Sequence, residues 1–391
     1  MIFKFLAINA FMIMACNMVH PITPAFLTNL ALPDYMFGAA LGAMAFTNFL
    51  FSPFWGKLSD SAGRLRVTNI SLLGYAVSQI AFMLAGTEVT VILSRILSGV
   101  FAGGFVVGTM AYLADITNKR DRPRYMLYFV AFQSVSASMG FLIGGFIGDY
   151  SIPATFIAQV MALIISILLY ASFLKESIAN HEKVKQSEFL RHVNPFLSFF
   201  EARKFMTPAF FVFLVVVFLT TFAAVEYDAA LNYYVRQIYG FAPSHNGMLK
   251  AATGIVGLLT NFTINQWLVK HTDGRKSLVG VMLICGVVLL AVSNVSSLVP
   301  FLILNVVFFA FNSMYMPIQQ TLVVEGQKKE ASNGLLFGIF NSVKALGMIG
   351  GSFVAGFAYQ VKPTLPFLIA AAVFVMAAGF GLLNVFQYRK T

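Results

Sequence analysis

Read from its N-terminus, the chain alternates long apolar stretches with short breaks marked by charge, proline or glycine. A helix needs about 20 apolar residues to cross a bilayer. On that criterion the pattern predicts twelve spans, at about 3–30, 35–56, 67–86, 89–115, 125–149, 153–174, 207–236, 246–269, 277–297, 299–324, 333–359 and 364–386. The first stretch is too long for a cleavable signal peptide and leads directly into a second.

The longest polar break, "KESIANHEKVKQSEFLRHVNPFLSFFEARK" from Lys175 to Lys204, divides the spans six and six. Its first part reads as charged linker. Its second part, around Phe189 to Phe200, mixes aromatic and basic residues and could lie along a membrane surface. The predicted organisation is an N-terminal bundle over 1–174, a cytoplasmic linker over 175–206 and a C-terminal bundle over 207–391.

The two halves repeat. "FQSVSASMG" in span 5 returns as "FNSVKALG" in span 11, with Phe132, Ser134, Val135 and Ala137 matching Phe340, Ser342, Val343 and Ala345. Parallel six-span repeats of this kind build transporters that hold substrate near the bilayer midplane. Gly140, Gly144 and Gly148 form a double GxxxG, and Gly347 and Gly351 repeat half of it. Small residues at that spacing let helix backbones approach closely.

Composition agrees with the pattern. Of 391 residues 59% are hydrophobic and 10% charged, with 42 phenylalanines; soluble chains carry about 25% charged residues. The net charge of +11 would suggest nucleic acid if it were spread evenly, but it follows the loops. Lys4, the loops at 57–66, 119–124, 175–204 and 270–276, Lys328, Lys329, Arg389 and Lys390 fall on one side, and Arg236, Lys250 and Lys362 on the other. The positive-inside rule then places both termini in the cytoplasm. A multi-pass protein of the cell membrane is expected, a monomer in the lipid bilayer with no nucleic-acid partner. Cys16 and Cys285 both lie in apolar runs and read as small buried hydrophobes. There is no GxxxxGK[ST] phosphate loop, no His/Cys metal cluster and no nucleophile elbow in the sequence. Neither cofactor nor enzymatic activity is expected.

The loop after span 2 reads "GKLSDSAGRLR", with Gly56, Leu58, Asp60, Gly63 and Arg64. It resembles the loop between spans 2 and 3 of the major facilitator superfamily, where this spacing recurs. Span 4 carries "VILSRILSGVFAGG", similar to the family's arginine motif, with Arg95 as the buried arginine and Ser98 where glutamine is common. "VHPITPAFLTNL" and "SPFWGKLSD" look like the twelve-span drug:proton antiporter branch. Where those antiporters carry Gly-Pro in span 5, this chain has Gly144-Gly145. The second half keeps a fainter loop, "VKHTDGRK", with Gly274 and Arg275 retained and His271 in place of the aspartate. The resemblance implies an all-α membrane protein of twelve helices in two pseudo-symmetric six-helix bundles, the major facilitator fold. It further implies that Gly56, Asp60, Gly63 and Arg64 latch the halves during alternating access, and that Arg95 takes part in proton transfer.

Few ionisable residues fall inside the spans: His20, Arg95, Glu226, Asp228 and Lys344. Each is expensive there and points to function. Glu226 and Asp228 are two apart and so about 200° apart on a helix. Antiporters resembling this chain often carry an acid near Glu226, which is therefore expected to carry the proton, with Asp228 as the alternative. Lys344 sits near the middle of an otherwise uncharged stretch, where a cation costs roughly 3 kcal/mol or more. It either pairs with Glu226 or Asp228 or is offered to an anionic group of the substrate. His20, Asn17, Asn312 and Tyr233 complete the expected substrate-binding set with Lys344. The function expected is a secondary transporter, exporting drugs or amphiphilic small molecules in exchange for protons. The alternative is a carrier or flippase for an anionic or zwitterionic metabolite or lipid, which the cations His20, Arg95 and Lys344 would favour.

Overall fold

A computed structural model describes residues 1–118, 121–177, 206–325 and 333–388. The described residues form helices and no strands. Span 1 is broken: an α-helix over Ile2–Asn17, a 3-10 turn over His20–Ile22 and a short helix over Thr23–Asn29. Spans 2 to 6 are Met36–Ala62, Arg64–Met83, Glu88–Ile116, Arg122–Tyr150 and Ile152–Phe173. Span 7 is Pro208–Tyr239, and span 8 runs over Pro243–Thr260, a π turn at Asn261–Asn265, and Gln266–His271. Spans 9 to 12 are Gly274–Ser293, Leu298–Glu325, Asn333–Val361 and Leu365–Tyr388.

Eleven of these are long and apolar enough to cross a membrane. Span 3 is the exception. It is a 20-residue helix, but Arg64, Arg66 and a polar series of Thr68, Asn69, Ser71, Ser78 and Gln79 lower its apolar character. The stretch at 189–200 and the residues Lys328, Lys329, Arg389 and Lys390, used above for topology, lie outside the described residues.

Local chemistry fixes several helix ends. Thr87 and Thr90 form a reciprocal capping box at the start of span 4, which satisfies amides that a helix start leaves free. Ser151 caps span 6, accepting from the Ala154 amide at 3.3 Å. Asp273 caps span 9, accepting from the Arg275 amide at 2.8 Å. Span 1 breaks before Pro21, which lacks an amide proton, and the Met18 amide donates back to the Ala15 carbonyl at 3.2 Å. Gln159 of span 6 reaches the break, its Nε2 donating to the Ala15 and Cys16 carbonyls at 3.0 and 3.1 Å.

The described residues group into two compact units. The first lies within Met1–Leu32, Ala43–Pro195 and Val235–Gly254; the second lies within Pro33–Gly42, Phe196–Tyr234 and Ile255–Thr391. In the first, Phe5, Leu72, Tyr75, Tyr112, Leu163 and Tyr170 anchor the core. Span 5 packs on span 1 through its double GxxxG: a Cβ on Gly140 would lie 2.3 Å from the Met14 carbonyl oxygen, and one on Gly144 1.8 Å from that of Met18. The second unit repeats the arrangement. Span 11 packs on span 7, where a Cβ on Gly347 would lie 2.7 Å from the Phe218 carbonyl oxygen and one on Gly351 2.3 Å from that of Phe222.

Each unit also takes in a short segment from the other half of the chain. In the second unit the start of span 2 lies against the end of span 11, with Gly38 in backbone contact with Ser352 and Gly356. Tyr35 stacks on Phe357 there at 5.3 Å between ring centroids. In the first unit the start of span 8 lies against the end of span 5, with Gly145 near Pro243 and Gly247 near Phe141. The Ser244 amide donates to Asp149 Oδ1 at 3.0 Å.

Candidate functional site

In the second unit, Glu226 of span 7 is fully buried, and neither carboxyl oxygen has a hydrogen-bond partner. Span 11 closes over it. A Cβ on Gly351 would lie 3.1 Å from the Glu226 amide nitrogen, so only a residue without a side chain lets the two backbones meet. Asp228 is part-buried, and its backbone carbonyl accepts from Asn232 Nδ2 at 3.2 Å. Tyr227, between the two acids, is fully buried and bonds to Asn305 of span 10.

Lys344 does not pair with Glu226. Gly351 is level with Glu226, and Lys344 lies seven residues earlier on the same helix, about 10 Å along the axis. Its ammonium instead sits 5.5 Å from the centroid of the Phe340 ring. No carboxylate meets it among the described residues. Tyr233 is packed into an aromatic group, stacked on Phe37 at 4.4 Å and edge-on to Tyr359 at 6.0 Å.

Asn312 of span 10 is part-buried with its Oδ1 unpartnered. Beside it in sequence, the Ser313 carbonyl is reached by an asparagine group of span 8. Asn261 Nδ2 donates to the Gly257 carbonyl at 2.9 Å and to that of Ser313 at 3.4 Å, and Asn265 Nδ2 donates to Asn261 Oδ1 at 3.0 Å. These asparagines bound the π turn of span 8, a distortion often found at functional sites. On span 10, Gln319 is fully buried and its Nε2 donates to Thr220 Oγ1 of span 7 at 2.8 Å. The polar run "TNFTIN" was the available signal for the asparagine group.

In the first unit Arg95 is buried, its guanidinium carbon 3.5 Å from the centroid of the Phe82 ring. A cation over an aromatic face is stabilised by the ring quadrupole. One turn on, Ser98 Oγ donates to Ser78 Oγ at 2.9 Å, tying span 4 to span 3. Gln79, beside Ser78, is fully buried with both amide atoms unpartnered. His20 is exposed and edge-on to Phe141 at 6.0 Å. Asn17 is part-buried and turned back on its own helix, donating to the Ile13 carbonyl at 2.7 Å.

The loop motif of the first unit is held by ion pairs and hydrogen bonds. Arg64 pairs with Asp60 at 2.5 Å and with Asp115 of span 4 at 3.0 Å, and donates to Ser59 Oγ at 2.8 Å. Gly56 precedes the turn and lies near Val107 of span 4. Gly63 has φ of +108° and ends the turn. A side chain there would also meet Glu176, whose carboxylate accepts from the backbone amides of Arg64 at 2.7 Å and Leu65 at 3.0 Å. Ser177 Oγ donates to Asp115 Oδ2 at 2.9 Å, and Tyr112 to the Lys175 carbonyl at 2.9 Å. The first residues of the linker thus hold the loop to spans 3 and 4. Neither Glu176 nor Asp273 was singled out in the sequence, although each supplies the carboxylate at a Gly-Arg helix start.

Comparison with known proteins supports the same picture. The chain is 28% identical to Multidrug resistance protein 2 of Bacillus subtilis, over 100% of this chain and 96% of that protein. It is 23% identical to the Quinolone resistance protein NorA of Staphylococcus aureus, over 93% and 92%. Among solved structures, a bacterial homologue of the human lysosomal transporter Spinster superposes with a TM-score of 0.79 at 12% identity, covering 100% of this chain and 97% of that one. The human organic anion transporter MFSD10 superposes with a TM-score of 0.67 at 20% identity, covering 98% of each. The Major Facilitator Superfamily model matches residues 5–352. This multi-pass membrane protein belongs to the major facilitator superfamily.

Proposed function

We propose that the protein is a secondary transporter that exports amphiphilic drugs across the cell membrane in exchange for protons, with Glu226 carrying the proton. The observation that carries this reading is the carboxyl group of Glu226, fully buried with both oxygens unpartnered. A carboxyl sealed from water exchanges its proton only when water or a substrate reaches it. That requirement ties protonation to conformational opening, which is what coupling needs. Similarity over nearly the whole chain to a multidrug resistance protein and to a quinolone resistance protein supports the drug class.

In this reading the bundles at 1–174 and 207–391, joined by the linker at 175–206, are the moving halves. Gly56, Asp60, Gly63 and Arg64 brace the cytoplasmic side, and Arg95 assists proton movement. Asp228, Asn17, His20, Asn312 and Tyr233 supply polar or aromatic surface to the substrate path. The chain works as a monomer in the cell membrane with both termini cytoplasmic. A carrier or flippase for anionic or zwitterionic compounds is the second reading, favoured by Lys344, which meets no carboxylate among the described residues.

The test is transport in proteoliposomes with an imposed pH gradient, using the lipophilic cation rhodamine 6G. Gradient-dependent movement supports proton-coupled export. Movement indifferent to the gradient removes the coupling, and no movement of this dye or of any other amphiphile removes the drug class.

A further inference from the structure

Span 11 carries one charge between Gly338 and Phe357, that of Lys344. Lys344 lies 11 residues from the start and 17 from the end of Asn333–Val361, about 16 and 25 Å along the axis. The stretch apolar enough to cross a membrane begins at Gly338, so Lys344 lies about 9 Å inside it and is not at its end. Nor does the protein neutralise it: among the described residues it meets the Phe340 ring and no carboxylate. Glu226, the nearest acid considered from the sequence, is level with Gly351, two turns further along.

The helix face around Lys344 is uncovered. Gly347 and Gly351 turn toward span 7 and are packed against it. Asn341 and Met348, three residues before and four after Lys344, are exposed, and Lys344 between them is half-buried. Residues at these offsets share a face. An ammonium and an amide therefore lie beside a thioether, which adapts to irregular apolar shapes. At the position matching Lys344 in the repeat, span 5 has Ser136, and that residue is buried. The open cation is a feature of the second half alone.

We propose that Asn341, Lys344 and Met348 form a subsite for the anionic head of an amphiphile, a carboxylate or phosphate, with its apolar body along Met348. The inference rests on the transporter reading and narrows its substrate class. A charge-assisted hydrogen bond from Lys344 to the anion supplies the partner that the protein withholds. Asn341 donates a second bond through its amide. A free carboxylate amphiphile and the phosphate of an anionic lipid present the same chemistry to these groups.

The test measures binding to the purified full chain in neutral detergent with four fluorescent probes: 12-(dansylamino)dodecanoic acid, its methyl ester, rhodamine 6G, and phosphatidylglycerol labelled on an acyl chain. Lys344→Gln should weaken the carboxylate about tenfold, the order expected for loss of one charge-assisted bond, and leave the ester and rhodamine 6G within about twofold. Lys344→Arg should keep the preference for carboxylate over ester, and Asn341→Ala should reduce it. Selective loss for the carboxylate identifies a free amphiphile, and selective loss for phosphatidylglycerol identifies a lipid headgroup. Equal loss across all four probes, or a wild-type protein that binds acid and ester alike, overturns the proposal. Binding needs no pH gradient, so a failure of proton coupling in proteoliposomes leaves this result independent.

Discussion

The Glu176 carboxylate accepts a hydrogen bond from the Arg64 backbone amide at 2.7 Å, across 112 residues of chain. A helix start leaves amides unsatisfied and carries partial positive charge, and here the cap comes from the beginning of the linker instead of the preceding turn. Glu176→Gln should lower thermal stability by about 1 kcal/mol, and Glu176→Ala by about 2. Melting of the detergent-solubilised protein checks both. Equal stability for all three proteins would mean that the linker does not hold the loop.

Gly63 is constrained twice, by its φ of +108° and by Glu176 beside it. Gly63→Ala should therefore destabilise by about 1–3 kcal/mol. In the double variant with Glu176→Ala part of that penalty should disappear, because the steric component goes and the backbone component stays. A thermal double-mutant cycle reads the difference directly.

Gly144 and Gly280 should respond to alanine in opposite directions. A Cβ at Gly144 would lie 1.8 Å from the Met18 carbonyl oxygen, whereas nothing lies within 4 Å of one at Gly280. Gly144→Ala should cost about 1–3 kcal/mol through overpacking. Gly280→Ala, in the interior of span 9, should gain about 0.5–1 kcal/mol from reduced backbone freedom. Thermal melts of the two variants suffice.

Removing the Gln159 amide should expose the break in span 1. Gln159→Leu keeps the apolar volume but takes the side-chain donor from the Cys16 carbonyl and from that of Ala15, which keeps the Met18 amide, at a cost of about 1–2 kcal/mol. Faster hydrogen exchange at 15–22 than at the rest of span 1 would locate the damage. Uniform exchange along the span would show that water satisfies these carbonyls unaided.

Glu226→Gln should separate exchange from coupling. The amide keeps the shape and removes the titratable proton, so substrate counterflow without a gradient should persist. Uphill transport driven by a pH gradient should fall at least tenfold. Asp228→Asn should retain more of the uphill transport than Glu226→Gln, and the reverse order would transfer the proton to Asp228.

The helices and their order were legible because the bilayer demands long apolar runs, and even span 3 kept enough of one to be placed. The loop's internal pairing was legible from "GKLSDSAGRLR", since Arg64, Asp60 and Gly63 are local to it. Its braces were not: Asp115 and Glu176 reach it from 51 and 112 residues away. Lys344 and Glu226 show the same limit. Helical geometry says which way a side chain points on its own helix, but not which turn of a neighbour lies level with it. The glycine contacts of span 11 settle that level. The π turn at Asn261–Asn265 left no trace in the apolar pattern, because it changes the winding of a helix and not its hydrophobicity.

The closure of span 1 by Gln159 also has a meaning in time. Ribosomal synthesis delivers span 1 to the membrane before the residue that completes it, since 143 positions separate Cys16 from Gln159. Until span 6 arrives, the Cys16 carbonyl lacks the Gln159 donor and is left to water or to the insertion machinery. Span 1 therefore reaches its mature shape only once span 6 has been made, and a nascent chain halted before Gln159 would hold an unfinished span 1.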